Sequence, residues 1–123
     1  MDTRFKVLVA DDSAFARRVA VSSLANTEFE VVAEAKTDKE AVEQFRKAAP
    51  DVVLLDFIMP EEGGAWALKH IMEINPQAKV VMLSSLGTED AITECLTLGA
   101  STFLQKPFDG ARLLATLRKM FVA

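Results

Sequence analysis

The strongest constraint on the fold of this chain is the alternation of five short apolar runs with stretches of helical spacing. The apolar runs cover residues 7–10, 31–33, 52–55, 80–83 and 102–104. The first, third and fourth runs contain no alternating polar residues, which is typical of parallel strands covered on both faces by helices. A strand followed by a helix, repeated five times, predicts a doubly wound α/β fold with five strands and five helices.

The stretches between the apolar runs predict the helices. They begin near residues 13, 37, 64, 88 and 109, and the first four end near residues 26, 49, 75 and 98. Thr37 and Glu40 have the spacing of a capping box, which marks the start of the second helix. In the first helix we expect Phe15, Val19 and Leu24 to share one face.

The composition restricts the class of protein. A chain of 123 residues is long enough to bury one core, and no linker, repeat or low-complexity segment divides it, so we expect one domain over residues 1–123. The formal net charge is −4 and no basic patch or stripe is evident in the sequence. Direct binding of nucleic acid is therefore not expected.

The sequence also bears on the compartment. Cys95 is the only cysteine and cannot form an internal disulfide, which favours a reducing environment. The apolar runs are far shorter than the ~20 residues that a membrane-spanning helix needs, and the first residues do not have the pattern of a signal peptide. We expect a cytoplasmic protein without membrane insertion.

Polar side chains follow four of the five predicted strands. Asp11 and Asp12 follow the first, Asp56 the third, Ser84 the fourth and Lys106 the fifth. In an open parallel sheet, ligands bind beyond the carboxyl ends of the strands, where the order of the strands changes direction. Because nothing comparable follows the second strand, we expect the first and third strands to be neighbours and these side chains to meet.

Such a cluster has a specific chemistry. Three close carboxylates repel one another unless a cation shares the site, and oxygen ligands without His or Cys favour Mg²⁺. A carboxylate beside that metal can act as a nucleophile and form an aspartyl phosphate. A lysine would neutralise charge on the transferred oxygens, and a serine hydroxyl could donate to them.

Each residue alone also has a structural interpretation. The Asp11-Asp12-Ser13 run could cap a helix, Asp56 could start a turn, and Lys106-Pro107 could belong to an ordinary loop. Their joint placement at four strand ends is much harder to obtain by accident. We therefore favour the functional interpretation.

With these motifs, the sequence resembles the receiver domains of two-component response regulators, the CheY-like family. The resemblance covers essentially the whole chain. It rests on residues 7–13 (VLVADDS), 54–60 (LLDFIMP) with Gly64, 82–85 (MLSS), Gly99-Ala100 and 106–108 (KPF). It implies a flavodoxin-like sheet with strand order 2-1-3-4-5.

The resemblance also implies roles for single residues. Asp56 would be the phosphoacceptor, and Lys106 and Ser84 would hold the phosphoryl oxygens. Mg²⁺ would be bound by Asp12 directly, by Asp11 through water, by Asp56 and by the backbone carbonyl of Ile58.

By the same resemblance, Ser84 and Phe103 would form the switch. Phe103 stands at the aromatic switch position but lacks the hydroxyl of a tyrosine, so such a switch must work by packing. The output surface would comprise the fourth helix, the fifth strand and the fifth helix.

The implied function is that of a phosphoacceptor in two-component signal transduction. The phosphoryl donor would be a sensor histidine kinase or a phosphotransfer protein, and the phosphorylated chain would bind a downstream protein target such as the flagellar motor or another effector. The chain would catalyse its own phosphorylation and dephosphorylation rather than act as an enzyme on a separate substrate.

Three alternatives stay open. The chain could be a single-domain, chemotaxis-like regulator or the receiver portion of a larger one, because residues 82–85 also resemble the receiver part of chemotaxis methylesterases. An aspartate-nucleophile phosphohydrolase would need a second Asp two residues after Asp56, where Ile58 stands. A flavodoxin-like cofactor binder would need a phosphate-cradling loop after the first strand, where Asp11 and Asp12 would repel phosphate.

Overall fold

A single parallel sheet of five strands forms the centre of the protein, which a computed structural model describes over residues 4–121. The strands are β1 (Phe5–Ala10), β2 (Phe29–Ala35), β3 (Val52–Asp56), β4 (Lys79–Ser84) and β5 (Thr102–Gln105). Their order in the sheet is β2-β1-β3-β4-β5, and all neighbours are parallel. The expected strand order is confirmed.

Five helices connect and cover the strands, as the sequence predicted. They are α1 (Ala14–Leu24), α2 (Asp38–Ala48), α3 (Gly64–Ile74), α4 (Glu89–Thr97) and α5 (Gly110–Met120). One face of the sheet packs against α1 and α5, and the other against α2, α3 and α4. Within residues 4–121, none of the helices has both the length and the apolar character that crossing a membrane requires.

The central strands separate two hydrophobic cores. All five residues of β3 are buried. Val52 and Leu54 belong to the core under α1 and α5, whereas Val53 and Leu55 belong to the core under α2 to α4. Residues 52–55 are all apolar because both faces of β3 lie in an apolar environment.

Side chains at the helix starts fix where four helices begin. Ser13, Thr37, Thr88 and Asp109 each accept a hydrogen bond from the backbone N–H three residues later. The predicted capping box at Thr37 is only half confirmed. The Glu40 carboxylate accepts from the backbone N–H of Lys36, at 3.2 Å, rather than from that of Thr37.

The predicted face of α1 is wrong. Leu24 and Ala20 are buried, but Phe15 is 73% exposed and Val19 is 38% exposed. Leu24 lies nine positions after Phe15, and at 3.6 residues per turn the two side chains point to opposite sides of the helix. The core contact of α1 therefore runs through its C-terminal half.

Gly64 allows the start of α3 to approach the end of β3. A Cβ atom at this position would overlap the carbonyl oxygen of Asp56 and lie 2.7 Å from the Cα of Phe57. These are backbone atoms, so they cannot move aside as a flexible side chain would. We expect Gly64→Ala to lower the free energy of unfolding by about 1–3 kcal/mol or more through overpacking, measured by urea denaturation.

Gly110→Ala is the matched control for this prediction. Its Cβ would lie 2.9 Å from the Oγ of Ser23, at the end of a side chain that can rotate away. We expect a smaller loss of stability than for Gly64→Ala. Equal losses in the two variants would contradict the proposed role of Gly64.

Candidate functional site

The polar residues singled out in the sequence lie at the carboxyl edge of the sheet. Asp11 directly follows β1, Asp56 is the last residue of β3, Ser84 is the last residue of β4, and Lys106 directly follows β5. The third and fourth strands are one residue longer at this end than predicted, so Asp56 and Ser84 are held by strand backbone. This places them more rigidly than a loop would.

Three carboxylates form the centre of the site. Asp11, Asp12 and Asp56 each offer an oxygen, and these oxygens lie within 4.8 Å of one another. Asp11 is 2% exposed and Asp56 is 7% exposed, whereas Asp12 is exposed to solvent. The backbone N–H of Ser13 donates to Oδ1 of Asp11 at 3.0 Å and fixes the orientation of that carboxylate.

Lys106 joins two of these carboxylates. Its Nζ lies 2.7 Å from Oδ2 of Asp11 and 3.5 Å from Oδ2 of Asp56. Burial disfavours the charged ammonium, but the hydrogen bond to Asp11 and the charges of both carboxylates outweigh it and raise the pKa of Lys106. The lysine is therefore charged at neutral pH and points between the two aspartates.

Asp56 is the carboxylate with the most perturbed acidity. Burial, followed by repulsion from Asp11, raises its pKa from 3.8 to about 6, although Lys106 and the backbone N–H of Ile58 act in the opposite direction. Strongly shifted groups of this kind are concentrated at functional sites. A carboxylate with this pKa is ionised at neutral pH and more basic than an ordinary aspartate.

The charges at the site do not balance. Three carboxylates against the one ammonium of Lys106 give 1 − 3 = −2 when all are ionised. A divalent cation would supply the missing charge, and a donor set made only of carboxylate oxygens suits Mg²⁺. The residues present therefore fit a magnesium ion.

Ser84, Phe103 and Ile58 occupy different positions around this centre. Ser84 is 1% exposed, and its Oγ accepts from the backbone N–H of Leu86 at 2.9 Å. Phe103 lies within β5, is half-buried and packs against the core under α2 to α4, so it does not belong to the carboxylate cluster. Ile58 follows Asp56 by two residues, and its side chain is 55% exposed.

Sequence reasoning missed two supporting residues. Arg17 donates to the backbone carbonyl of Asp11 at 2.7 Å and to the carboxylate of Glu34 at 3.1 Å. Asp38, at the start of α2, binds the loop between β3 and α3. The contacts of Arg17 with Glu34 and of Asp38 with its loop have no local sequence signal, because each joins segments that only the tertiary structure brings together.

Comparison with known proteins is consistent with this geometry. Residues 7–118 match the model of a response regulator receiver domain. The chain is 39% identical over 114 residues to the chemotaxis protein CheY of Bacillus subtilis, an alignment that covers 93% of this chain and 95% of that protein. It is 50% identical over 108 residues to a protein-glutamate methylesterase/protein-glutamine glutaminase of Archaeoglobus fulgidus, which covers 86% of this chain and 30% of that protein.

A solved structure has the same fold. It is the CheY of Borrelia burgdorferi in a crystal structure of a complex with CheX, BeF₃ and magnesium. The TM-score is 0.93 and the identity is 36%, over 97% of this chain and 90% of that chain.

The raised pKa of Asp56 predicts a pH dependence of stability. In metal-free buffer, we expect the free energy of unfolding of the wild type to fall, relative to Asp56→Asn, as the pH rises from about 4 to about 6. The native state keeps the Asp56 proton up to about pH 6, whereas the unfolded chain loses it near pH 3.8, so loss of the proton favours unfolding. The difference is at most about 3 kcal/mol and smaller after solvent screening. Urea unfolding across this pH range measures it.

Glu43→Gln provides the control. Glu43 lies on the exposed face of α2, and a hydrogen bond from Lys47 lowers its pKa. Removal of the Glu43 carboxylate should therefore leave the fall in the free energy of unfolding between pH 4 and 6 in place. If wild type and Asp56→Asn showed the same pH dependence, the assignment of the raised pKa to Asp56 would be wrong.

Proposed function

Since this chain belongs to the response regulator receiver domain family, we propose that Asp56 accepts a phosphoryl group from a phosphohistidine donor. The observation that carries the proposal is the cluster of Asp11, Asp12 and Asp56 with Lys106 at the carboxyl edge of the sheet. An oxygen of Asp56 attacks phosphorus, the bond from phosphorus to the histidine nitrogen breaks, and the histidine leaves with the bonding electron pair. The product is an aspartyl phosphate.

The raised pKa of Asp56 supports this role. At a pKa of about 6 the carboxylate is ionised at neutral pH, and it is a better electron-pair donor than an aspartate of ordinary pKa. Lys106, already 3.5 Å from Asp56, would pair with the transferred phosphoryl oxygens. The geometry needs no large movement of either residue.

The proposed metal ligands are Asp11, Asp12, Asp56 and the backbone carbonyl of Ile58. Bound Mg²⁺ supplies positive charge next to the phosphoryl oxygens. The family resemblance implies that Asp11 approaches it through water, and the contact of Asp11 Oδ2 with Lys106 is compatible with such an indirect role. Asp12, which is exposed, would bind it directly.

Phosphorylation would change the surface formed by α4, β5 and α5. Ser84 would rotate so that its hydroxyl donates to a phosphoryl oxygen, giving up the hydrogen bond that Oγ accepts from Leu86. Phe103, half-buried beside β4, would move into the space that Ser84 leaves. Phosphate would thus favour one of two existing packing states.

The partners follow from this chemistry. The phosphoryl donor is a sensor histidine kinase or a phosphotransfer protein, and the output is a downstream protein that binds the α4, β5 and α5 surface, such as the flagellar motor or another effector. The Borrelia burgdorferi relative was solved with CheX and with BeF₃ and magnesium, which supports a protein partner and a metal-dependent phosphoryl site. The chain catalyses only its own phosphorylation and dephosphorylation.

A second candidate is a receiver that controls a methylesterase. The 50% identity to the Archaeoglobus fulgidus protein exceeds the 39% identity to the Bacillus subtilis CheY. The phosphorylation chemistry would be the same, and the output surface would act on a catalytic domain. Binding of this chain to an isolated methylesterase catalytic domain would favour this candidate.

The proposal predicts phosphorylation by a small phosphodonor. Incubation with acetyl phosphate and Mg²⁺ should add one phosphoryl group to the wild type, because the site itself activates Asp56. Asp56→Asn should remain unmodified. Intact mass spectrometry measures the adduct, and amide hydrogen exchange should then change in α4, β5 and α5 of the wild type only.

Asp51→Asn is the matched control, since Asp51 lies at the opposite edge of the sheet, where its carboxylate accepts from the backbone N–H of Lys6. This variant should be phosphorylated like the wild type. A labile adduct on Asp56→Asn, or none on the wild type with any donor, would refute the proposed acceptor.

A further inference from the structure

Asp38 is a buried carboxylate that the proposed reaction does not use. It is the first residue of α2, and its exposed fraction is 0%. The group of carboxylates that could hold a metal comprises Asp11, Asp12 and Asp56 and does not include it. A buried charge is costly unless it is paired or hydrogen-bonded, so its contacts need an explanation.

The carboxylate of Asp38 binds the loop between β3 and α3. Its Oδ2 accepts from the backbone N–H groups of three consecutive residues, Glu61 at 3.0 Å, Gly63 at 2.9 Å, and Glu62 between them. Its Oδ1 accepts from the backbone N–H of Lys39 at 2.6 Å. Both oxygens are therefore occupied by backbone donors.

The backbone of Asp38 adds a further contact to the same loop. Its N–H donates to the carbonyl of Pro60 at 2.9 Å. Desolvation opposes ionisation of the side chain, but the backbone N–H groups outweigh it and lower the pKa of Asp38. The loop is thus held by an ionised acceptor, which makes stronger hydrogen bonds than a neutral one.

The loop between β3 and α3 includes Ile58, whose backbone lies next to the carboxylates. Ile58 lies between the end of β3 and the segment that Asp38 binds, and its N–H acts on the Asp56 carboxylate. Ile58 is 55% exposed, so its side chain is not held in the core. The contacts on either side of Ile58 are the buried side chain of Met59, the hydrogen bond from Gly64 N–H to the Phe57 carbonyl, and the bond from Asp38 N–H to the Pro60 carbonyl.

We propose that Asp38 is a positioning residue for magnesium binding, which acts by holding residues 61–63 so that the Ile58 backbone faces the carboxylates. The inference rests on the proposed function and extends it to a residue outside the metal ligands. Asp38 does not touch the ion. It sets the conformation of the loop that supplies one of the ligands.

Asp38→Asn is the informative variant. An amide has one acceptor oxygen, so either the N–H of Lys39 or the three N–H groups of residues 61–63 would face an NH₂ group. Groups that support metal ligands typically contribute 10–100-fold to affinity. We expect the dissociation constant of Mg²⁺, measured by isothermal titration calorimetry, to rise about tenfold in Asp38→Asn and further in Asp38→Ala.

Amide hydrogen exchange separates positioning from a simple loss of negative charge. The exchange of residues 61–63 should accelerate in Asp38→Asn without Mg²⁺. The Asp51→Asn variant loses one negative charge, while its amide oxygen can still accept from the backbone N–H of Lys6, and it should keep the affinity of the wild type and its exchange at residues 61–63. For a variant that is partly unfolded, the rise of melting temperature with Mg²⁺ concentration still gives the affinity.

The outcomes are distinct. Weaker Mg²⁺ binding together with faster exchange at residues 61–63 supports the inference. An unchanged dissociation constant, or weaker binding with unchanged exchange, overturns it while the proposed function stands. A wild type that binds no Mg²⁺ would refute the proposed function and the inference together.

Discussion

The imbalance of charge at the carboxyl edge of the sheet is the constraint on which the site depends. Asp11, Asp12 and Asp56 are brought together against the single ammonium of Lys106. Burial of Asp56 makes this repulsion worse and raises its pKa to about 6. The backbone at the ends of β1 and β3 holds the carboxylates together despite this repulsion. A divalent cation, or a phosphoryl group paired with Lys106, changes the balance of charge at the site. Because the carboxylates repel one another, binding of a cation or a phosphoryl group changes the electrostatic energy of the site.

The fold and the main site residues could be predicted from the sequence because both depend on periodic patterns. Apolar runs without polar alternation identify strands buried on both faces, and parallel strands necessarily bring their carboxyl ends to one edge. Asp11, Asp56, Ser84 and Lys106 follow directly from these two facts. The strand order came from the family resemblance; the pattern of polar residues is what adjacent β1 and β3 would produce, but it does not fix the order.

The errors have equally physical causes. The face of α1 was wrong because apolar residues nine apart lie on opposite sides of a helix, and Phe15 stays exposed. Arg17 and Asp38 were missed because the Glu34 carboxylate on β2 and the backbone N–H groups in the loop after β3, which they respectively contact, are brought to them only by tertiary structure. A side chain that binds the backbone of a distant segment has no fixed spacing in the sequence, unlike a side chain that caps a helix. Arg17 and Asp38 nevertheless bind the backbone of the loops that follow β1 and β3, next to the carboxylates.

The central claim is that Asp56 and a bound cation together accept a phosphoryl group. Fluorine NMR with beryllofluoride, an analogue of the phosphoryl group, tests it most directly because the signal of bound fluoride does not depend on a phosphodonor or a partner. We expect one bound complex per chain in the presence of Mg²⁺, and none in metal-free buffer or in Asp56→Asn. A bound signal that persists in Asp56→Asn, or the absence of any bound signal in the wild type with Mg²⁺, would contradict it.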